Sequence, residues 1–167
     1  MQAEIRTARA SDVDALLAIE NSVFATDRLS RPSLRRLARS PSAAALVADC
    51  DGAVAGYCVV LFRSGSQKAR LYSIAVRGDF AGAGLGRTLL DAAEAGAQAR
   101  SCGVLRLEVR EDNARAIGLY EAAGYRCEGR VPGYYADGEA ALRYAKPLDG
   151  AGAGAGAPAP IAGTAAP

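Results

Sequence analysis

Gly82-Ala83-Gly84-Leu85-Gly86-Arg87-Thr88 is the stretch on which the fold turns. It separates a β-rich run, Ala69 to Val76, from Arg87 to Arg100, where Leu89, Leu90, Ala93 and Ala97 recur at helical spacing. Bare amides ahead of the positive end of a helix hold a phosphate or pyrophosphate. Beyond that helix Gly103 offers a left-handed cap and Val104 to Val109 is a strand. Strand, glycine loop, helix and strand therefore form one parallel unit, with the helix as its crossover.

Upstream, the pattern is antiparallel. Ala44 to Ala48 and Ala53 to Phe62 are joined by Asp51-Gly52, a hairpin signal, and Ser64-Gly65-Ser66 turns the chain into Ala69 to Val76. Ala3 to Arg9 alternates weakly as a first strand. Ser11-Asp12-Val13-Asp14 then resembles a capping box, opening a helix whose stripe is Val13, Leu16, Leu17, Ile19 and Val23. Ser30, with Pro32 in the following turn, starts a second helix that turns Leu34 and Leu37 inward and stops at Pro41. Downstream, Asn113 to Ala123 is a short helix closed by Gly124; Tyr125 to Arg130 and Ala140 to Leu148 are strands around Pro132-Gly133-Tyr134-Tyr135. The expected class is α/β: a mixed, mostly antiparallel sheet with one parallel pair and flanking helices.

Composition bounds the chemistry. The 167 residues are half apolar and 23% charged, as in one globular domain. That domain is expected over residues 1–148. Residues 149–167, almost all Gly, Ala and Pro from Gly150 on, cannot bury enough surface to offset their ordering entropy and are expected to be a disordered extension. With no histidine, Ser-His and Cys-His nucleophile pairs and histidine-rich metal sites are excluded, leaving Glu, Asp, Tyr, Lys or Cys for proton transfer. Cys50, Cys58, Cys102 and Cys127 form no C-x-x-C pair, so neither a metal nor a redox couple is expected; Cys58 and Cys127, in strand-like runs, read as inert core thiols.

A net charge of +2 with no dense basic block argues against nucleic acid, and no stretch approaches 18 apolar residues, which argues against a membrane span. The start lacks a secretory h-region, so a cytoplasmic location is expected. Arg28, Arg31, Arg35, Arg36 and Arg39 nevertheless crowd twelve acid-free residues. They form either a solvated helix face or a surface for an anionic ligand or acidic partner.

Three families use a glycine loop of this kind. A dinucleotide fingerprint wants G-x-G-x-x-G; both gaps here are one residue, and although Glu108 follows Gly86 by 22 residues, the chain has no room for a second nucleotide-binding half. A P-loop would need a glycine at Ala81 and a lysine at Arg87. The third reading fits more of the chain. Val76, the loop with its Leu-Leu helix, Leu105-Arg106-Leu107-Glu108-Val109-Arg110, Asn113 through Tyr120-Glu121 and Gly124-Tyr125 together resemble the GNAT acetyltransferase family over about residues 3 to 148. The branch most resembled is RimI-type, whose members acetylate the N-terminal alanine of a ribosomal protein. Asp27-Arg28-Leu29-Ser30-Arg31 resembles instead a bacterial subgroup whose acetyltransferase domain can precede a peptidase-like domain.

The resemblance implies acetyl-CoA as co-substrate and a GNAT sheet whose parallel pair splays apart. Its pyrophosphate would lie on Gly82, Ala83, Gly84, Leu85, Gly86 and Arg87, and pantetheine would lie along Ile74, Ala75 and Val76, with the Val76 amide polarising the thioester. Asn113 would cap its helix and touch the cofactor. Glu108 would be the general base, its alternative being an ion pair with Arg106 or Arg110. Tyr120 would be the general acid, its alternative a core tyrosine against Leu119 and Tyr125. Tyr134, Tyr135 and Arg31 would contact the acceptor, a primary amine and foremost a protein N-terminus, ribosomal or other. A small-molecule amine acetyltransferase and a non-catalytic acyl-CoA sensor remain as alternatives, and the chain would act as monomer or homodimer. Family loops usually carry Gln or Arg where Ala81 stands, a contact whose loss costs roughly 1–3 kcal/mol.

Overall fold

Hairpin chemistry builds the first half of the sheet. The computed structural model describes residues 2–148; the expected disordered extension, 149–167, lies outside the described residues. Strands β1 (Ala3–Thr7), β2 (Ala43–Cys50), β3 (Ala53–Phe62) and β4 (Lys68–Val76) pair antiparallel in sequence order. At the β2–β3 corner both Asp51 (φ 54°) and Gly52 (φ 90°) are left-handed, the backbone that a two-residue hairpin demands.

The second half is wound around a crossover. Helix α3 (Leu85–Ala99) carries the chain from β4 to β5 (Val104–Arg110), which pairs parallel to β4. Helix α4 (Ala114–Ala122) follows, then β6 (Arg126–Val131) and β7 (Ala141–Pro147). The resulting order, β1-β2-β3-β4-β5-β7-β6, is a mixed, mostly antiparallel sheet with one parallel pair. Two cores flank it. Leu89, Leu90, Ala93 and Ala97 of α3 pack on Leu71, Leu105 and Leu107 on one face. On the other, helices α1 (Val13–Val23) and α2 (Arg31–Arg39) pack Leu16, Ile19, Leu34 and Leu37 on Val47, Tyr57 and Val59.

Several local expectations are corrected. Asp12, not Ser11, is the N-cap of α1, and no side chain caps that helix; the buried Asp12 carboxylate turns back to accept hydrogen bonds from the Arg9 N–H (2.6 Å) and both terminal nitrogens of Arg6 (2.8 and 3.0 Å). Val23 is 42% exposed, past the point where α1 leaves the sheet. The left-handed residue closing α3 is Ser101 (φ 62°), not Gly103: its N–H bonds to Gln98 O and that of Cys102 to Ala97 O, so the reversal comes two residues early. Cys127 is exposed, since β6 is an edge strand, whereas Cys58 is buried and its thiol is pushed up to about 12 by desolvation. Among the described residues no helix is long and apolar enough to cross a membrane.

The feature that positions the site is where the parallel pairing ends. Strands β4 and β5 pair only from Lys68–Val104 to Leu71–Leu107 and then separate. At that point β4 carries an extra residue, Tyr72, between Leu71 opposite Val60 and Ser73 opposite Val59. Such a bulge bends its strand and increases twist. Beyond it β4 stays with β3: the Arg77 N–H bonds to Ala55 O (2.8 Å), which makes Gly56–Val76 the adjacent, closely spaced pair without ladder bonds. The N–H groups of Ile74 and Val76 therefore face the side that β5 has left.

Gly56 has no room for a side chain, because a Cβ there would stand 2.8 Å from Ala75 O and 3.2 Å from Leu89 Cδ1. Gly56→Ala is expected to cost about 1–3 kcal/mol, read as a Tm drop of several degrees by calorimetry. Arg6 holds the Asp12 carboxyl below the usual carboxylate range. Its contribution is therefore complete above the unfolded value near pH 4 and lost as pH falls through the lower folded value. Asp12→Asn should destabilise the protein by roughly 1.5–3 kcal/mol at pH 7, and urea titrations should show that gap closing as pH falls below the unfolded carboxylate value of about 4.

Candidate active site

The glycine loop is built from left-handed turns. Gly82 (φ +84°) and Gly84 (φ +80°) occupy backbone that side chains rarely adopt, and a Cβ on either would meet nothing within 4 Å. Residues 81–84 are exposed, so the peptide run is open to solvent. Gly84 caps α3, and the first intrahelical bond runs from the Thr88 N–H to Gly84 O (3.1 Å), leaving the amides of Leu85, Gly86 and Arg87 as the orphan donors of the first turn. A loop whose amides point outward ahead of a 15-residue helix is a fitting cradle for a pyrophosphate. Gly86 is half-buried, and a Cβ there would stand 3.4 Å from Leu119 Cδ2 of α4. Arg87 lies at the mouth but pairs with Asp91 one turn on (3.0 Å). Ala81 contributes no polar group; its N–H is spent on Gly78 O.

The strand-borne candidates sit at the splay. Ile74, Ala75 and Val76 lie on the stretch of β4 that β5 no longer covers, as the resemblance requires of a pantetheine slot. Glu108 is the first residue of β5 past the last parallel pair. It points away from α3, since Leu105, Leu107 and Val109 alternate into the α3 core. Its ion pairs among the described residues reach across to the neighbouring strands. Arg70 reaches across from β4, 2.7 Å from Glu108 Oε1, and Arg143 of β7 lies 3.9 Å from Oε2. Arg110 is held instead by Asp112 (3.1 Å) and Asp137 (2.7 Å). The Glu108 side chain keeps 12% of its surface open.

Tyr120 is 4% exposed on α4, its ring edge-on to Tyr125 at 5.9 Å, so the core contact with Tyr125 is present. Burial first, and the nearby Tyr135 hydroxyl second, push the Tyr120 phenol well above its ordinary value. It stays protonated across the working pH range, the state a proton donor needs. The Tyr135 phenol is shifted upward as well, by burial first, with Tyr134 and Glu108 adding to it. Asn113 caps α4, its Oδ1 accepting the Ala116 N–H at 3.1 Å.

The loop between β6 and β7 roofs this region. The Tyr134 hydroxyl accepts from Arg70 (3.0 Å), Tyr135 lies under Arg110 (5.1 Å to the ring centroid), and the Ala136 N–H donates to Asp27 (3.2 Å). That last bond ties the roof to the α1–α2 loop. The Asp27-Arg28-Leu29 segment is fastened in turn to Glu20, whose buried carboxylate accepts the Leu29 N–H (2.7 Å) and the Tyr57 hydroxyl. Arg31, expected at the acceptor, is engaged with Asp14 on the outer side of α1.

Three participants escaped the sequence reading. Glu20 had a signal, because it sits in the apolar arc of α1 at i+4 from Leu16 and i+7 from Val13. Arg70 had none, since its partner lies 38 residues away, and Asp27 stood out only within the Asp27-to-Arg31 motif, with nothing to indicate its bond to the Ala136 N–H 109 residues on.

A left-handed glycine cradle, a splayed parallel pair and a strand-end carboxylate define a protein that binds a diphosphate-bearing thioester and works beside it. Residues 13–125 match the acetyltransferase (GNAT) family, and the chain belongs to it. It is an acetyl-CoA-dependent N-acetyltransferase. A Bacillus subtilis (strain 168) protein provisionally named ribosomal protein bS18-alanine N-acetyltransferase is 34% identical over 142 residues, 84% of this chain and 93% of that one. The solved ribosomal-protein-S18-alanine N-acetyltransferase of Escherichia coli superposes with a TM-score of 0.81 at 29% identity, over 92% of this chain and 99% of that one. A Salmonella typhimurium protein solved with its cofactor acetyl-CoA shares the fold at 21% identity (TM-score 0.78, 95% of this chain and 98% of that one).

Gly84→Ala is expected to weaken acetyl-CoA binding about tenfold by calorimetric titration, as it strains the loop and puts a methyl group at its mouth. Gly65→Ala is the control: at φ +78° it carries equal backbone strain in the open β3–β4 turn and should leave that affinity unchanged.

Proposed function

We propose that the protein acetylates the α-amino group of a protein N-terminus, ribosomal or other, by direct attack on the thioester. The observation that carries the mechanism is the placement of Glu108 at the splay, as the first residue of β5 past its last pair with β4. The acceptor class is supported by the kinship with bS18-alanine N-acetyltransferases and with an N-alpha-acetyltransferase of Sulfurisphaera tokodaii.

Bound acetyl-CoA supplies the activated acyl group and a thiolate leaving group. The amides of Gly82 to Arg87 hold its diphosphate, and Ile74 to Val76 offer backbone hydrogen bonds to its pantetheine arm. The Val76 N–H, turned away from β3, donates to the thioester carbonyl where negative charge develops. Glu108 accepts the proton of the acceptor ammonium, a modest task for an α-amino group of pKa about 8. Tyr120 donates its proton to the departing sulfur. The roof of Tyr134 and Tyr135 closes over the reacting groups and limits water. We assign the cytoplasm as the compartment, because acetyl-CoA and ribosomal acceptors meet there.

Tyr120→Phe should lower kcat by about a hundredfold or more, with little change in acetyl-CoA affinity; an unchanged kcat would overturn the proton-donor role, and coenzyme A binding with no turnover on any amine, unchanged by the substitution, would favour a sensor. Glu108→Gln should be slow near pH 7 and regain activity as pH rises above about 8, where the amine loses its own proton. Rates on peptide and small-diamine panels decide the acceptor: turnover of diamines alone would overturn the protein N-terminus.

A further inference from the structure

Glu20 is a buried acid that the acetyl transfer does not use. It lies on α1 beside Leu16 and Ile19 and is 2% exposed. Among the described residues it accepts the Leu29 N–H (2.7 Å) and the Tyr57 hydroxyl, and no cation pairs with it. A leucine or methionine there would extend the apolar stripe without burying a polar group, so packing does not account for the acid. Its oxygens hold other parts in place. Having given its proton to Glu20, the fully buried Tyr57 hydroxyl accepts from Ser73 Oγ (3.3 Å). Ser73 follows the bulge residue Tyr72 and stands opposite Val59, on the α1/α2 side of the sheet. One carboxylate therefore joins the loop 24–30, through Tyr57 of β3, to the start of the free stretch of β4.

That loop is under constraint. Asp27 is left-handed (φ 54°) although it bears a side chain, a conformation that persists where the surroundings fix it. On one side Arg28 Nε donates to Phe24 O, and on the other the Leu29 N–H is tied to Glu20. So held, both oxygens of the Asp27 carboxylate accept the Ala136 N–H (3.2 and 3.3 Å). Ala136 follows Tyr134 and Tyr135, and Tyr134 shares Arg70 with Glu108. The loop and the roof therefore border one opening, the one through which an amine reaches Glu108. The acetyl-CoA cradle lies elsewhere: it opens ahead of α3, which packs on the opposite face of the sheet.

We infer that Glu20 is a positioning residue for the acceptor: it seats the α1–α2 loop against β4, so that Asp27 clasps the roof and the acceptor slot is formed before the peptide arrives. This rests on the proposed protein acceptor, and deepens it. A slot already ordered binds its ligand without the entropy cost of ordering two loops. Loss of Glu20 is therefore felt in acceptor binding, while the proton-transfer groups and the cofactor cradle keep their places. A residue that only held the core together would act on all three alike.

The test uses the full chain, acetyl-CoA and a peptide that begins with Ala, and reads acceptor KM, kcat per acetyl-CoA site counted by calorimetric titration, and acetyl-CoA affinity. Glu20→Met keeps the volume and removes both acceptor oxygens; it should raise acceptor KM about tenfold, with kcat within about twofold and acetyl-CoA affinity unchanged. Glu20→Gln should recover most of that loss, since its oxygen accepts from Leu29 while its amide donates to Tyr57, whose proton turns to Ser73. Asp27→Ala should reproduce the rise in KM, and combining it with Glu20→Met should add nothing further, because both act through one clasp. Leu34→Ala, a cavity in the same core, is the control: it should lower Tm and leave acceptor KM alone. If Glu20→Met does not fold, Tyr57→Phe takes its place in the same cycle with Asp27→Ala. An unchanged acceptor KM, additive effects at the two sites, or a loss confined to kcat or acetyl-CoA affinity would overturn the positioning role and leave N-terminal acetylation standing. Turnover of diamines alone, or of no amine, would overturn the protein acceptor, and amide exchange then decides on Glu20. The Ala136 N–H should exchange about tenfold faster in Glu20→Met than in the wild type; equal exchange would overturn the clasp as well.

Discussion

A hydrogen-bonded sheet does not part without a reason, since every unpaired amide inside it costs free energy. Here β4 and β5 part after Leu71 and Leu107, and the extra residue Tyr72 bends β4 away while β3 keeps hold of its other edge. The consequence is a short stretch of strand, Ile74 to Val76, with ladder bonds on one side and bare donors on the other. Those donors need a partner, and an extended amide-bearing arm is a chemically matched one. The cradle and the carboxylate take their positions from the same opening: the glycine loop follows the free stretch of β4, and Glu108 is the first residue of β5 released from the pair.

Electrostatics then set what can approach. A half-covered Glu108 contacting guanidinium groups from both neighbouring strands is held in one orientation, and the hydroxyl of Tyr134 joins the same network. On the other side of the cleft Tyr120 is so buried that its proton is not lost at ordinary pH. In the mechanism we propose, a fixed carboxylate that accepts and a phenol that keeps its proton divide the two proton transfers between them. The roof is fastened by Asp27 and Glu20 to α1 and its following loop, so the walls of the cleft share one set of hydrogen bonds.

Much of the fold was legible because its signals are local. Asp51-Gly52 demanded a left-handed corner, Ser30 with Pro32 a helix start, Asn113 and Gly124 the two ends of α4, and each meets that demand through its own or adjacent backbone. Where two local signals competed, position along the chain did not rank them. Gly103 was a better left-handed residue than Ser101 by chemistry, yet the tight turn of Cys102 back onto Ala97 came first. Cys127 read as core because alternation says that a residue lies on a face, and does not say whether anything covers that face.

The glycine spacing and the strand-loop-helix rhythm determined by themselves an anion cradle at the start of a crossover helix, because such a loop is set by backbone conformations that few residues can adopt; the co-substrate and the expected place of each candidate residue followed from the resemblance of that loop and of the run from Glu108 to Tyr125 to a known family. Only the tertiary structure decided which charges meet. Glu108 has arginines two residues away on either side in sequence, but a β-strand spreads such neighbours about 6–7 Å apart along one face, while the adjacent strands stand less than 5 Å away. Its partners therefore came from β4 and β7, and with them the chemistry of what the cleft admits.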